Sequence, residues 1–335
     1  MTLHLFGTIL THRGIASNNR GEVEAGTVST LQKVIRYGEL YSTVSGEAIR
    51  YALREVWPHN DAHAIPTDHL NRPVPMDEKG WKDPTFAEGW DKYVDNDVLG
   101  YMLETNSRRG VLEVGRAVST NPWPGTVTNH FASVGAQPRR NESKGNPNPI
   151  PYTVEVHDTH YQYTFAFTPD ALKKEKLDRT KKTLMALCNL RRVGGNHSRF
   201  FYDFAPQMVV LRATHDPAPR IMNCFVEDEE RGAISLKPLI HRMTCDDGDQ
   251  ADVRDVRDVR PDEIIIGGVP AEHPIHERKD VKRILIDDKV RQDLTIKQSV
   301  KAAFWHLLDR LVENDEKVVL KPRQDNSNHG ETSHD

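Results

Sequence analysis

The chain has 335 residues, 37% of them hydrophobic and 28% charged, which is the composition of an ordinary folded protein. It has no apolar run of about 18 residues, so no membrane span is predicted, and Met1–Leu10 lacks the features of a secretory signal. Its three cysteines, Cys188, Cys224 and Cys245, form no CxxC pair. This argues against a zinc ribbon or a disulfide framework and favours a cytoplasmic location.

Charge is unevenly distributed, although the net charge is only −4. The window Asn106–Gly145 holds six basic residues against two acidic ones, a net charge of +4, and Lys173–Arg199 holds nine against two, a net charge of +7. The acidic excess lies mainly from Glu227 onward. This asymmetry is typical of a protein that binds a polyanion on one face, although uneven surface charge without a partner explains it about equally well.

The first part of the chain predicts strands followed by a helix. Leu3–Leu10 is short and apolar and predicts an opening strand, and Gly14–Gly26 predicts a loop. Thr27–Val44 is rich in β-branched and aromatic residues and predicts strand with irregularities. Ser45 is a good N-cap for a helix that Pro58 ends. The apolar positions at helical spacing are Ala48, Ile49, Ala52, Leu53 and Val56.

The middle of the chain predicts irregular segments between strands. His59–Gly89 is rich in Pro, Asp, His and Trp without periodicity and predicts an inserted subdomain. Val98–Leu103 and Val111–Val118 predict strands around a basic turn, Ser107–Gly110. Thr120–Pro151 predicts a proline-rich loop with a basic centre, and so long a loop inside a compact domain is usually functional or disordered.

The second half predicts further strands and helices. Tyr152–Phe167 alternates aromatic and polar residues and predicts a strand. Asp178–Val193 predicts a basic helix that ends at Gly194-Gly195, and Gln207–Ala213 predicts a buried strand.

The C-terminal third predicts one amphipathic helix and a tail. Ile296–Val312 has helical apolar spacing, and Lys321–Asp335 predicts a disordered tail. The repeat DVRDVRDVR at 252–260 is compatible with a charged strand or with an exposed loop. Together, the strands, interspersed helices and long insertions predict an α+β fold with an elaborated antiparallel sheet.

Motifs for catalysis, metals and cofactors are weak. The histidines at positions 59, 63 and 69 lie beside prolines that disfavour a helix, so a solvated loop is favoured over a metal site. His157 and His160 on one strand would point to opposite faces. There is no GxSxG, Walker or GxGxxG motif, so no catalytic residue and no cofactor are predicted.

Two weak anion sites remain. Gly194-Gly195 lets backbone amides approach a phosphate, with arginines nearby, although a plain helix-ending turn explains the two glycines about equally well. Ser45-Gly46 at a helix start offers free amides and a favourable dipole, as any capped helix does.

Several segments, taken in order from about Phe6 to about Arg212, resemble one family. The family is the DevR-type backbone subunit of the type I CRISPR Cascade complex, and we expect subtype I-B. The matching segments are Gly21–Glu24, Leu31–Lys33, Val44–Arg54, Gly100–Met102 with Arg108-Arg109, Val114–Ser119 and, as the closest match, Val193–Pro206.

The resemblance implies an α+β fold built on a modified RNA-recognition-motif (ferredoxin-like) palm over 1–320. It implies insertions at about 58–97 (fingers-like) and at about 119–152 (thumb), followed by a disordered tail at 321–335. Copies would stack head to tail along the CRISPR guide RNA, each thumb kinking it, and would present the remaining bases to target DNA in antiviral defence. The other expected partners are the 5′-end cap subunit, the large subunit and the guide-processing endonuclease, with no membrane.

The resemblance also implies a set of RNA-facing residues, which would bind phosphates without reading sequence. The aromatic residues with which RNA-recognition motifs stack bases are not evident, so ordinary stacking is not expected. The candidates are Arg13, Asn19, Arg20, Lys33, Arg36, Ser45, Gly46, Arg50, Arg108, Arg109, Arg139, Arg140, Lys144, Gly194, Gly195, Asn196, His197 and Arg199.

Two alternatives belong to other functional classes: a metal-dependent endoribonuclease subunit of type III kind, and a transcriptional autoregulator. Type III backbone subunits cut with an aspartate between the first strand and the first helix. The first aspartate here is Asp61, beyond that helix, and the preceding segment offers only Glu22, Glu24 and Glu39. We therefore expect no enzymatic activity, and no helix-turn-helix with a basic recognition helix stands out.

Overall fold

The structure is a computed structural model, and it describes residues 1–17, 28–56, 76–77, 80–81, 94–102, 107–131, 151–193, 202–228, 233–244, 258–268 and 294–321. Within these ranges the helices are α1 (Gly46–Val56), α2 (Val94–Leu99), α3 (Lys176–Cys188), α4 (Lys237–Thr244) and α5 (Val300–Arg310). The strands are β1 (His4–Thr11), β2 (Gly14–Ser17), β3 (Val28–Ser29), β4 (Lys33–Arg36), β5 (Glu39–Val44), β6 (Met76–Asp77), β7 (Gly80–Trp81), β8 (Tyr101–Met102), β9 (Ser107–Arg108), β10 (Leu112–Val114), β11 (Ala117–Ser119), β12 (Val127–Phe131), β13 (Pro151–Thr159), β14 (Tyr161–Phe167), β15 (Pro206–Thr214), β16 (Val226–Asp228), β17 (Ala233–Ser235), β18 (Ile264–Gly267), β19 (Thr295–Lys297), β20 (Leu311–Asn314) and β21 (Lys317–Leu320). The predicted α+β class is confirmed.

Nine of the described strands form one large sheet. Their order is β19-β18-β15-β1-β14-β11-β5-β4, and β10 also pairs with β14. β18 and β19 are parallel, and the other neighbours are antiparallel. β1 lies at the centre and pairs with β14 on one side and β15 on the other. A smaller sheet has the order β12-β13-β2, with β3 on β13.

The central strand β1 is buried on both faces. Leu5 and Ile9 belong to a core shared with α1, α3 and α5, whereas Phe6 and Leu10 belong to a second core shared with α4. Because side chains alternate along a strand, a continuously apolar strand has to be covered on both faces. Members of the first core include Ile49, Leu53, Leu184, Leu187, Phe304 and Leu307, and members of the second include Met208, Val210, Ile221, Phe225, Leu239 and Ile266.

A buried cluster of ion pairs, centred on α2, joins α1, α2 and α3. Asp95 and Asp97 are fully buried. The Asp97 carboxylate accepts hydrogen bonds from Arg179 Nη1 at 2.7 Å and from Arg108 Nη2, and Arg54 Nε donates to Asp95 at 3.0 Å. A buried carboxylate is stable only where cations and donors replace its water, so these arginines hold the helices together.

Four element predictions are confirmed, those for Leu3–Leu10, Thr27–Val44, the helix that begins after Ser45, and Gln207–Ala213. The predicted strand Val98–Leu103 is wrong at its start, because Val98 and Leu99 end α2, and the predicted turn Ser107–Gly110 begins with strand β9. The hydrogen bond of 2.8 Å from Val111 N to Val98 O ties α2 to this strand segment.

Other predicted boundaries also need correction. The loop predicted over Gly14–Gly26 begins with β2, and the loop predicted over Thr120–Pro151 contains β12, because both segments pair with β13. The strand predicted over Tyr152–Phe167 is two strands separated at His160. The helix predicted to start near Ile296 begins at Val300, where Ser299 Oγ accepts from Ala302 N, and Val312 lies in β20.

α3 ends at Cys188, six residues before the glycines that were predicted to end it. Asn189 causes this, because its backbone and side-chain N–H groups both donate to the carbonyl of Met185. Of the repeat at 252–260, residues 252–257 lie outside the described residues. The remaining residues contact the folded chain: Val259 is buried, and Asp258 forms an ion pair with Arg220 at 3.1 Å.

The predicted insertions are described only in part. The fingers-like segment 58–97 ends within α2, and residues 57–75, 78–79 and 82–93 lie outside the described residues. The thumb segment 119–152 begins in β11, continues through β12 and ends in β13, and its residues 132–150 lie outside the description. In the part of the chain that the structure describes, no helix has the length and apolarity to cross a membrane.

Asp97→Asn is expected to lower the free energy of unfolding by about 3–5 kcal/mol, because it leaves Arg108 and Arg179 buried without their counter-charge. Urea denaturation followed by circular dichroism measures this loss. Glu113→Gln is the matched control, since it removes the partner of Arg109, whose side chain is 89% exposed, and should cost less than about 1 kcal/mol. Similar small losses for both variants would contradict the structural role of Asp97.

Candidate nucleic-acid interface

Cationic residues gather at the β4 end of the large sheet, where the β4–β5 hairpin precedes α1. Arg116 directly precedes β11 and lies beside the hairpin. Its Nη1 donates hydrogen bonds to Thr43 Oγ1 at 3.1 Å and to Gln32 Oε1 at 3.3 Å. We call this surface the basic edge, and define it as Lys33, Arg36, Ser45, Gly46, Arg50 and Arg116.

The first turn of α1 is fixed by local contacts. Ser45 Oγ accepts a hydrogen bond from Ala48 N at 3.2 Å, as its predicted N-cap role requires. Gly46 lies so close to Val114 that a Cβ would overlap the Val114 carbonyl oxygen. A hydrogen bond from its own backbone lowers the pKa of Glu47, with further contributions from Arg50 and Arg116. Both arginines therefore act on the start of the helix.

The cations of the basic edge differ in how far they are neutralised. Lys33 Nζ pairs with Glu155 at 2.5 Å and lies 4.0 Å from the Trp123 ring centroid. Arg50 pairs with Glu47 at 3.4 Å. Arg36 stacks over Tyr41 at 5.9 Å, and within the described residues neither Arg36 nor Arg116 forms an ion pair. Arg36 and Arg116 are thus the cations best placed to meet an anionic ligand.

Three other predicted contacts lie away from the basic edge. Arg108 is only 10% exposed and pairs with Asp97, which gives it a structural role, and its predicted RNA contact stays a prediction. Arg109 is exposed and, among the residues that the structure describes, pairs with exposed Glu113. Arg13 donates to Asp158 at 3.2 Å and to Glu227 at 2.6 Å, so two carboxylates balance its charge.

The remaining predicted contacts stay predictions. The base of the glycine segment is described: Phe204 N donates to Arg191 O at 3.0 Å, and the hydroxyls of Tyr202 and Thr11 lie 2.7 Å apart. Arg191 and Arg192, just before this segment, are exposed. Those outside the described residues are Asn19, Arg20, Arg139, Arg140, Lys144, Gly194, Gly195, Asn196, His197 and Arg199.

The sequence reasoning missed Arg116 and the aromatic residues Tyr37, Tyr41 and Trp123 as parts of this surface. Arg116 lies in the basic window that was recognised, but its place beside α1 depends on the pairing of β11 with β5. Trp123 is fixed by hydrogen bonds from its backbone N to Leu40 O at 2.6 Å and from its Nε1 to Val156 O at 3.0 Å.

Groups for other chemistry are few. Among the described residues no cluster of three or more His, Cys, Asp or Glu side chains is placed to hold a metal, and the histidines at 59–69 lie outside them. Burial raises the pKa of Cys188 to about 11 and that of Cys224 to about 12, so neither is a thiolate at neutral pH. His157 and His160 have separate partners, Ser42 Oγ and Thr11 O.

His157 connects the interior to the β4–β5 hairpin. Its Nδ1 lies 2.6 Å from Ser42 Oγ, which is also 2.8 Å from the Tyr161 hydroxyl. The ring is 1% exposed, and burial lowers the pKa of His157 from 6.5 to about 4. The folded protein therefore holds this imidazole neutral where an unfolded chain would protonate it.

The stability contributed by neutral His157 is complete above about pH 6.5 and is lost as the pH falls toward 4. His157→Asn keeps a polar atom near the Nδ1 position but does not titrate. We expect the melting temperature to fall less between pH 7 and pH 5 in this variant than in the wild type. His12→Asn, at an exposed histidine, should keep the wild-type pH dependence, and an unchanged slope in His157→Asn would contradict the assignment.

Comparison with known proteins assigns the sequence to one family. The family model described as CRISPR-associated negative auto-regulator DevR/Csa2 matches residues 19–229. The CRISPR-associated protein Cas7/Cst2/DevR of Myxococcus xanthus (strain DK1622) is 39% identical over 263 residues, which cover 74% of this chain and 84% of the relative. The chain therefore belongs to the DevR/Csa2 family of CRISPR-associated proteins.

Two solved structures are also similar. A CRISPR RNA-guided surveillance complex, pre-nicking, aligns with a TM-score of 0.42 and 10% identity, over 64% of this chain and 80% of that chain. A further CRISPR RNA-guided surveillance complex aligns with a TM-score of 0.40 and 15% identity, over 65% of this chain and 72% of that chain.

Proposed function

We propose that this chain is the guide-RNA-binding backbone subunit of a type I Cascade complex, of subtype I-B. Family membership sets the class of protein, and the basic edge is the observation that carries the RNA contact. Arg116 lies beside the start of α1 and Arg36 at the turn end of the β4–β5 hairpin, and neither forms an ion pair with a described carboxylate. Copies of the chain would coat the guide RNA and leave its bases free to pair with target DNA.

We infer further that the core is the modified RNA-recognition-motif palm. The order β15-β1-β14-β11, with α1 between β1 and β11 and α3 between β14 and β15 along the chain, supports a βαββαβ unit. The sheet face away from α1 and α3 is covered by the core that contains Phe6 and Leu10. This burial supports RNA contact through the edge of the palm rather than base stacking on the sheet face.

Binding through the basic edge would be independent of sequence. Arginines that meet phosphates position a nucleic acid but carry no base information. Each phosphate contact also releases counter-ions, so the affinity depends strongly on salt. These two properties separate the proposed coat protein from a sequence-specific regulator.

The double variant Arg36→Gln/Arg116→Gln tests the proposal. It should weaken binding about equally for several unrelated single-stranded RNAs and reduce the salt slope of log K by about 0.7 per lost contact, because phosphate contacts are removed. Fluorescence anisotropy at several salt concentrations measures both quantities.

Lys301→Gln is the control for this experiment, because Lys301 is an exposed cation on α5, which packs against β18 and β19 at the far end of the large sheet. Unequal losses among the RNAs would indicate base reading. Preferred binding of one duplex promoter would instead support the autoregulator role named in the family description.

We also propose that the chain binds RNA without cutting it. Of the glutamates before α1, Glu39 is exposed beside the β4–β5 turn, and the first aspartate in the chain is Asp61. Target RNA paired to bound guide should stay intact with Mg²⁺ or Mn²⁺ on a denaturing gel. Metal-dependent cleavage that disappears in Glu22→Ala or Glu24→Ala would overturn this.

A further inference from the structure

The tip of the β4–β5 hairpin presents an unburied aromatic ring. Tyr37 and Gly38 form the two-residue turn between the paired residues Arg36 and Glu39. The Tyr37 side chain is 93% exposed. Its hairpin is short and well paired, and Trp123 N donates a hydrogen bond to the carbonyl of Leu40, one residue pair from the turn. The ring is therefore displayed on a firm support rather than on a free loop.

The conformation of Tyr37 has an energetic cost. Its φ is 53° and that of Gly38 is 83°. A two-residue turn with two positive φ angles is usually Asn-Gly or Asp-Gly, because a bulky residue is strained in the left-handed region. Strained positions of this kind cluster at functional sites. The turn itself therefore does not favour a tyrosine at this position.

The surroundings of the tip decide which ligand suits it. Arg36 is next to Tyr37 and stacks on Tyr41, and it has no carboxylate partner among the described residues. On the same hairpin, the cross-strand pair Ile35 and Leu40 is exposed, Ile35 by 74%. An apolar surface alone would also suit a protein. Arg36 lies beside the exposed ring and forms no ion pair with its exposed cross-strand neighbour Glu39, which matches a single-stranded nucleic acid, whose bases stack while its phosphates meet an arginine.

We propose that Tyr37 is a base-stacking site, in which the hairpin tip holds one unpaired base of single-stranded RNA against the phenol ring. This inference rests on the proposed function, because the neighbouring basic edge supplies the phosphate contacts. The site is distinct from the covered face of the sheet. It adds one stacking contact without base recognition, since every base has a π-face.

The test uses the full-length protein and single-stranded RNAs that carry 5-iodouridine for photocrosslinking. Tyr37→Asn removes the ring and supplies a residue that the turn favours, so folding is protected. It should weaken RNA binding about tenfold, as the loss of one base–aromatic stack does, and leave the salt slope unchanged. Tyr37→Phe should bind within about twofold of wild type, and the crosslinked peptide should contain residue 37.

Trp305→Ala is the control, because Trp305 is an exposed aromatic on α5, away from the β4 end of the sheet. Wild-type affinity in Tyr37→Asn, with weakened binding in Arg36→Gln/Arg116→Gln, would overturn the stacking site while the proposed function stands. Failure of the wild type to bind any RNA would overturn both. A loss of self-association in Tyr37→Asn without a change in RNA affinity, measured by light scattering, would assign the tip to a protein contact and also overturn the inference.

Discussion

The buried carboxylate of Asp97 is the constraint on which the arrangement of the helices depends. It accepts hydrogen bonds from Arg108 of β9 and Arg179 of α3. The nearby Asp95 accepts one from Arg54 near the end of α1. Glycines allow the chain to turn tightly around this cluster, since a Cβ at Gly100 or Gly110 would overlap backbone atoms. Because α1 is held at its last turn by this ion pair and along its length by the core, its first turn is fixed at the basic edge.

The elements that could be predicted from the sequence are those set by local patterns. β1 and β15 are rich in apolar residues, and α1 has a capping serine and helical spacing, so their signals lie within the segments themselves. α2, with the sequence VDNDVL, has no apolar period and depends on distant arginines. Likewise, a basic turn looks the same whether its arginines face water or a buried carboxylate, so the ion pair of Arg108 with Asp97 could not be predicted from the sequence.

The same reasoning explains how far the candidate interface could be foreseen. Lys33, Arg36, Ser45, Gly46 and Arg50 are close in sequence, and the hairpin and helix that carry them were largely predictable. Arg116 joins them only through pairing of β11 with β5. The sheet shows why this edge matters: both faces of β1 are occupied by apolar cores, so a ligand of the sheet is left with its rim. Polar contacts with phosphates need no apolar face, and an exposed rim suits them.

The central claim is that copies of this chain coat guide RNA without regard to its sequence. The most direct measurement is native mass spectrometry of the full-length protein with unrelated single-stranded RNAs of increasing length. We expect the number of bound copies to rise in proportion to RNA length and to be the same for every sequence at a given length. A single bound copy at all lengths, or binding confined to one sequence, would contradict it.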